Sequence, residues 1–261
     1  TYMTGTPVAF KSIRGTKDIF PPETARWQHV ESVVRAVFHR FNYKEIRTPI
    51  FEQTALFARS IGELTDIVGK EMYTFTDRSN DSITLRPEGT ASVIRAYIQN
   101  NLGEAQPLVK VYYIGPMFRQ ERPQAGRLRQ FHQFGAEAIG SLQPEVDAEI
   151  IAMTIQIYKE LSLTKYSLKI NSVGCEKCRP HYKEILQNEL RKIAARLSPE
   201  SQRRIEENPM RVLDSKNEND ASLTAKMPVI TDHLCAECAA HFESLKTYLT
   251  SFHILYTVDG R

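Results

Sequence analysis

Val111-Tyr112-Tyr113-Ile114-Gly115-Pro116-Met117-Phe118-Arg119-Gln120-Glu121, followed after a basic loop by Leu128-Arg129-Gln130-Phe131-His132-Gln133-Phe134-Gly135-Ala136-Glu137-Ala138, is the stretch that decides the fold. Side chains on a strand alternate faces with period two. Arg127, Arg129, Phe131, Gln133, Gly135 and Glu137 therefore share one face, and Leu128, Phe134, Ala136 and Ala138 share the other. Arg119 and Glu121 share a face of the first run. Joined as a hairpin, the two runs put guanidinium, carboxylate, amide and a flat ring on one surface. That composition suits a ligand that is anionic, aromatic and zwitterionic, and it is poor material for a core. His132 points the other way and reads as a packed core histidine.

Working outward, Trp27, Val30, Val33, Val34, Val37, Phe38 and Phe41 recur at helical spacing from Thr24 onward. Tyr43 to Ile50 then reads as a strand ending at Pro49. Met72–Thr76 and Ser82–Leu85 flank the turn-forming Asp77-Arg78-Ser79-Asn80-Asp81 and read as a hairpin. Thr90 to Asn101 reads as a helix stopped by Gly103, Glu145 to Leu161 as another helix, and Tyr166 to Ser172 as a strand. Hairpin-linked strands with helices between them predict an α+β fold on an antiparallel sheet, not a doubly wound parallel one. From about Asn171 the pattern turns mostly helical, and Phe252 to Val258 reads as a strand returning to the first domain. The expected organisation is a core over 1–171, a helical insertion over 172–251 and a return strand over 252–261.

The 261 residues suffice for one large domain or two smaller ones. Hydrophobic content of 41% and charged content of 25% are those of an ordinary globular protein. A net charge of +3 does not by itself demand a nucleic-acid partner, but Arg119, Arg122, Arg127 and Arg129 crowd into eleven residues against the single acid Glu121. No apolar run approaches the roughly 20 residues needed to cross a bilayer, and Thr1 to Lys11 lacks the apolar core of a signal peptide. A cytoplasmic protein without a membrane partner is the expectation, and four cysteines there favour metal or free thiols over disulfides.

Those cysteines fall in Cys175-Glu176-Lys177-Cys178-Arg179-Pro180-His181-Tyr182 and Cys235-Ala236-Glu237-Cys238-Ala239-Ala240-His241-Phe242, both of the form C-x-x-C-x-x-H-aromatic. Cys175, Cys178, Cys235 and Cys238 would supply a closed tetrahedral zinc site stapling the ends of the insertion. Metal-free thiols at helix starts are the alternative.

Phe118-Arg119-Gln120-Glu121, the Arg122–Arg127 loop and Arg129-Gln130-Phe131-His132-Gln133 resemble motif 2 of class II aminoacyl-tRNA synthetases, and more narrowly that of the histidyl-tRNA synthetase family. Arg14-Gly15-Thr16-Lys17-Asp18, Thr84-Leu85-Arg86-Pro87-Glu88-Gly89-Thr90 and Arg211-Val212-Leu213-Asp214-Ser215-Lys216 fit the same family in order. The resemblance implies a class II antiparallel sheet flanked by helices, and ATP-dependent activation of L-histidine followed by transfer to tRNA(His). It also implies magnesium with the ATP and a homodimer through the Thr24–Ile50 region, which is similar to motif 1.

Under this resemblance Arg119 neutralises the α-phosphate, a task suited to a planar guanidinium that can grip phosphate and carboxylate oxygens together. Glu121 accepts from the adenine amino group, Phe131 stacks on adenine, and Arg127 reaches the terminal phosphates. Glu88, Gly89, Thr90, Gln133 and Arg119 hold the histidine backbone, and Glu137 faces the imidazole. The plainer readings are an Arg–Glu cross-strand ion pair beside a core Phe, and helix capping by Glu88 and Thr90. Arg122 and Gln124 at the hairpin tip would approach the tRNA acceptor end.

In full-length relatives a second histidine-binding motif, motif 3 and an anticodon-binding domain should follow Arg261. The chain is thus expected to be an N-terminal catalytic fragment with weak or no activity of its own. The competing readings are the synthetase-like regulatory subunit of ATP phosphoribosyltransferase and a plain tRNA-binding fragment.

Overall fold

The protein is described here by a computed structural model covering residues 10–61, 71–122, 124 and 126–260. Its contacts divide into two compact units. One takes residues up to Leu142 together with Met153–Ser162, and the other takes Gln143–Ala152 and the chain from Leu163 onward.

The first unit opens with α1 (Glu23–Arg40), which buries Val34, Val37 and Phe38. Asn42 ends the helix in the left-handed region (φ 63°). The amides of Asn42 and Tyr43 then donate back to the carbonyls of His39 and Phe38, satisfying two of the last helical carbonyls. Most of the predicted 43–50 strand is irregular. Only β1 (Lys44–Glu45) pairs, before the chain reaches β2 (Phe51–Gln53) in a different sheet. After α2 (Thr54–Ile61), β3 (Thr74–Thr76) and β4 (Ser82–Leu85) form the expected hairpin, and Asp77 accepts from the amides of Ser79 and Asp81 across its turn. β4 lies between β2 and β3, antiparallel to both.

α3 (Thr90–Gln99) ends at Asn100 and the left-handed Asn101 (φ 49°), not at Gly103, which lies inside the short α4 (Leu102–Ala105). β5 (Val109–Phe118) and β6 (Gln130–Ile139) are the long strands of the unit. They pair antiparallel over ten residues, from Val109 opposite Ile139 to Phe118 opposite Gln130. β1 adds to the outer side of β5 in parallel.

One face of the β5–β6 hairpin packs on α1, where the Tyr112 ring stacks on Phe38 at 4.6 Å and Phe134 meets Phe38 edge-on. His132 does lie on this face, with its ring against Trp27 at 4.9 Å, but it is exposed and not in the core. On the opposite face, Val109 and Val111 pack with Val93 of α3. The last helix of the unit, α5 (Pro144–Glu160), gives its second half here and its first half to the second unit.

The second unit is mostly helical: β7 (Lys169–Ile170), α6 (Cys178–Ile193), α7 (Pro199–Glu207), α8 (Met210–Leu213), α9 (Glu218–Thr224), α10 (Ala236–Ser251) and β8 (Thr257–Val258). Tyr182, Leu186 and Leu190 of α6 form its core with Leu197, Ile205, Val212 and Ile230. A second cluster joins Phe242, Leu245 and Leu249 of α10 to Ala148 and Ile170.

Asp220 is fully buried, yet it accepts from the Ser198 amide at 2.9 Å and from the hydroxyls of Ser198, Ser201 and Ser215 at 2.6, 2.6 and 3.0 Å. Burial works to raise its carboxyl, but these donors prevail and hold it down at about 2. This node ties the Ser198 cap of α7 to α9, itself capped by Asn217.

The return strand expected over 252–258 is the two-residue β8, paired in parallel with β7. The long strands are antiparallel, as the expected α+β fold requires, and among the described residues parallel pairing is confined to the two-residue ladders. No helix among the described residues is long and apolar enough to cross a membrane.

Candidate active site

Strand alternation places Phe131, Gln133, Gly135 and Glu137 of β6 on the face away from α1. Their cross-strand partners on β5 are Met117, Gly115, Tyr113 and Val111. At one end of this surface the Arg119 guanidinium lies over the Phe131 ring, 5.2 Å from its centroid, and its Nε donates to the Pro87 carbonyl at 3.0 Å. Glu121, with only 14% of its side chain exposed, meets Arg127 at 3.0 Å and Arg119 more loosely at 3.9 Å. The Arg–Glu ion pair and the charge–ring contact thus coexist on one strip. For Phe131 to stack on a purine, the Arg119 guanidinium must share that ring or leave it.

At the other end stands Glu137, whose Oε1 accepts from the Thr90 hydroxyl at 2.7 Å. Burial pushes the Glu137 carboxyl up, the Thr90 bond opposes this, and the neighbouring Glu88 charge adds to it. Glu88 caps α3, accepting from the amides of Thr90 and Ala91 at 2.5 and 2.9 Å. The Thr90 hydroxyl, in contrast, turns to the sheet. Of the helix capping expected of this pair, Glu88 supplies the acceptor and the Thr90 side chain does not.

Two residues the sequence reading passed over complete the surface. Tyr113 fills the space between Gly89 and Gly135. A Cβ on either glycine would come within 2.3 or 2.4 Å of its ring or hydroxyl, so both glycines are required by close approach. Burial raises the Tyr113 phenol, and the Glu137 charge raises it further. Arg86 is 6% exposed and ties β5 to the segment between β1 and β2. Its Nε donates to the Pro116 carbonyl at 2.9 Å, and its Nη1 to the Thr48 carbonyl at 3.1 Å. Neither had a local signal: the Tyr113 slot is created by a glycine on another strand, and the Arg86 acceptors lie 30 and 38 residues away.

Arg122 and Gln124 are exposed at the hairpin tip, where the backbones of Gln124 and Arg127 bridge each other. Cys175, Cys178, Cys235 and Cys238 come together in the second unit, with all four sulfurs within 4.8 Å of one another. Backbone amides of Cys178 and Lys177 hold the Cys175 thiol down at about 6, while burial pushes Cys238 up to about 12.

The first-unit surface therefore offers a guanidinium and a ring at one end and a half-buried carboxylate beside a hydroxyl at the other. Such a surface is chemically matched to an anionic or aromatic group at the first end and to a cationic or hydrogen-bonding group at the second.

Comparison with known proteins bears on the same residues. The family description for histidyl-tRNA synthetase matches residues 15–232. A histidine–tRNA ligase of Solibacter usitatus is 55% identical over 96% of this chain and 61% of its own length. One from Desulforamulus reducens is 53% identical over 95% and 59%. The chain thus spans about three fifths of the length of these curated relatives. The structure of apo Staphylococcus aureus histidyl-tRNA synthetase superposes with a TM-score of 0.76 at 41% identity, covering 97% of this chain and 57% of that one. A Bacillus halodurans protein described as an ATP phosphoribosyltransferase regulatory subunit/histidyl-tRNA synthetase shares the fold at 20% identity, with a TM-score of 0.64 over 97% of this chain and 69% of that one. Family match, identity along the chain and superposition agree: this chain belongs to the histidyl-tRNA synthetase family.

Proposed function

We propose that the β5–β6 surface binds histidine and ATP and forms histidyl-adenylate, the first half-reaction of a histidine–tRNA ligase. The observation that carries this is the single strip running from Arg119 and Phe131 to Thr90 and Glu137, which matches the two ends of that adenylate. The histidine carboxylate attacks the α-phosphorus of ATP and pyrophosphate leaves. Arg119 offsets charge on the pentacoordinate phosphorus and holds the carboxylate near it, and Arg127 leaves Glu121 to meet the terminal phosphates. Glu121, freed of Arg127, accepts from the adenine amino group. Gln133, Thr90, Glu88 and Gly89 position the α-ammonium end, and Glu137 takes the imidazole. Magnesium arriving with ATP would supply further neutralisation of the pyrophosphate charge beside Arg127.

The same reading gives Arg122 and Gln124 to the acceptor end of tRNA(His), and the Thr24–Ile50 region, with its exposed Ile50, to a homodimer contact in a cytoplasmic enzyme. It also takes 172–251 as an inserted domain. The regulatory-subunit alternative is supported less well, since its named relative shares only the fold while the ligases are identical at half of the positions.

Histidine-dependent ATP–pyrophosphate exchange tests the proposal. Exchange that needs histidine and falls at least about 10²-fold in Arg119→Ala supports it. Exchange indifferent to Arg119, or driven equally by other amino acids, refutes it.

A further inference from the structure

The second unit contains a cluster that adenylation does not use. Cys175 and Cys178 lie in the turn entering α6, and Cys235 and Cys238 lie at the start of α10, sixty residues later. The sulfur separations are 3.7 Å for Cys175–Cys178, 3.7 Å for Cys175–Cys235 and 3.8 Å for Cys178–Cys238. A disulfide would need about 2.05 Å. Four thiolates about 2.3 Å from a central tetrahedral zinc stand about 3.8 Å apart, which is the spacing found on three edges here.

The backbone around the sulfurs is shaped to the same end. In each pair the amide of the residue after the second cysteine, Arg179 or Ala239, donates to the carbonyl of the first at 2.9 Å, so the two C-x-x-C turns are alike. The Cys175 amide points at Cys178 Sγ at 3.2 Å, and the Lys177 amide at Cys175 Sγ at 3.4 Å. Such N–H to sulfur contacts orient thiolate ligands and spread their charge. Gly174, in the left-handed region at φ +64°, leaves room for the Cys178 sulfur, since a Cβ there would lie 2.9 Å from it.

Both histidines of the repeated motif stand aside. His241 faces Asp147 at 3.5 Å, and the His181 ring packs edge-on near His233. Among the described residues no histidine or carboxylate joins the four sulfurs, so the ligand set is complete at four and leaves no open position for substrate or water.

We propose that Cys175, Cys178, Cys235 and Cys238 bind one zinc ion as a closed tetrathiolate centre that fastens the start of α6 to the start of α10 and takes no part in adenylation. The centre is structural: it closes a sixty-residue stretch of helices at its two ends, where the exposed Lys177–Glu237 ion pair also spans from one cysteine turn to the other. It stands independently of the proposed function, because the sulfurs and the ATP-facing strip belong to different units.

The test is metal analysis of the full chain, purified under reducing conditions without chelator, together with titration of the metal-free chain by cobalt(II). The expected results are one zinc per chain, and an intense visible cobalt spectrum of the tetrahedral thiolate type that saturates at one equivalent and is bleached by zinc. Cys235→Ser should lose the ion, and Cys235→His, which keeps a ligand, should retain it. A folded parent chain with four thiols reactive toward a colorimetric reagent and no cobalt spectrum overturns the proposal. So does a cobalt spectrum unchanged in Cys235→Ser. Should the serine variant fail to fold, the cobalt titration of the parent still decides.

Discussion

Replacing Glu137 by Gln separates the charge of the pocket floor from its shape. Glutamine keeps an oxygen where Glu137 Oε1 accepts from Thr90 at 2.7 Å, so the hydrogen bond to α3 survives. What disappears is a half-buried negative charge with the Glu88 carboxylate nearby and a phenol, Tyr113, on the adjacent strand. An imidazole held there exchanges a charge-assisted bond for a neutral one and loses a short-range Coulomb attraction. Together these are worth about 2–3 kcal/mol, or about 30- to 160-fold in the dissociation constant.

The apo protein should respond in the opposite sense. Because the folded carboxyl titrates above its ordinary 4.5, the stability it contributes is present below that pH and is lost as pH rises through the folded value. Glutamine never ionises, so the variant should match the parent near pH 4 and melt higher than it near pH 7.5. Calorimetric titration with histidine and thermal melts at the two pH values read both effects. Histidine affinity within about threefold of the parent, or a lower melting temperature at the higher pH, would refute the assignment of Glu137.

Two further predictions concern packing and acid stability. Gly135→Ala drives a methyl to 2.4 Å from the Tyr113 hydroxyl, so it should cost about 1–3 kcal/mol in urea unfolding and abolish measurable histidine binding. An unchanged affinity would show that the Tyr113 slot is not part of the pocket. Asp220, held down at about 2, contributes stability that is present above 3.8 and is lost as pH falls toward 2. The advantage of the parent over Asp220→Asn should therefore shrink across that window in the helical unit, and a constant difference would contradict the hydrogen-bond account.

The hairpin was legible because its period of two runs unbroken from Gln130 to Ile139 and every residue finds a partner on β5. The cysteine pairs were legible as well, since C-x-x-C spacing is local and the meeting of the two pairs follows from the chemistry of sulfur. Less could be read where tertiary contacts outweigh local preference. Tyr43–Ile50 has strand composition, but β5 offers it a parallel ladder at only Lys44 and Glu45, and the following residues leave for another sheet. Gly103 looked like a helix stop, yet Asn101 takes the left-handed position first. His132 sits on the face that the alternation assigned, but Trp27 covers only its edge and leaves it exposed. Tyr113 and Arg86 were invisible because their roles depend on glycines and carbonyls supplied by distant parts of the chain.

The most direct test of the central claim is calorimetric titration of the chain with a non-hydrolysable histidyl-adenylate analogue, in which a sulfamoyl group replaces the phosphate. One molecule should bind per chain, with affinity reduced in both Arg119→Ala and Glu137→Gln, and the corresponding prolyl analogue should bind far more weakly. No binding by a folded chain, or equal binding of the two analogues, would contradict the reading of the β5–β6 surface as a histidyl-adenylate site.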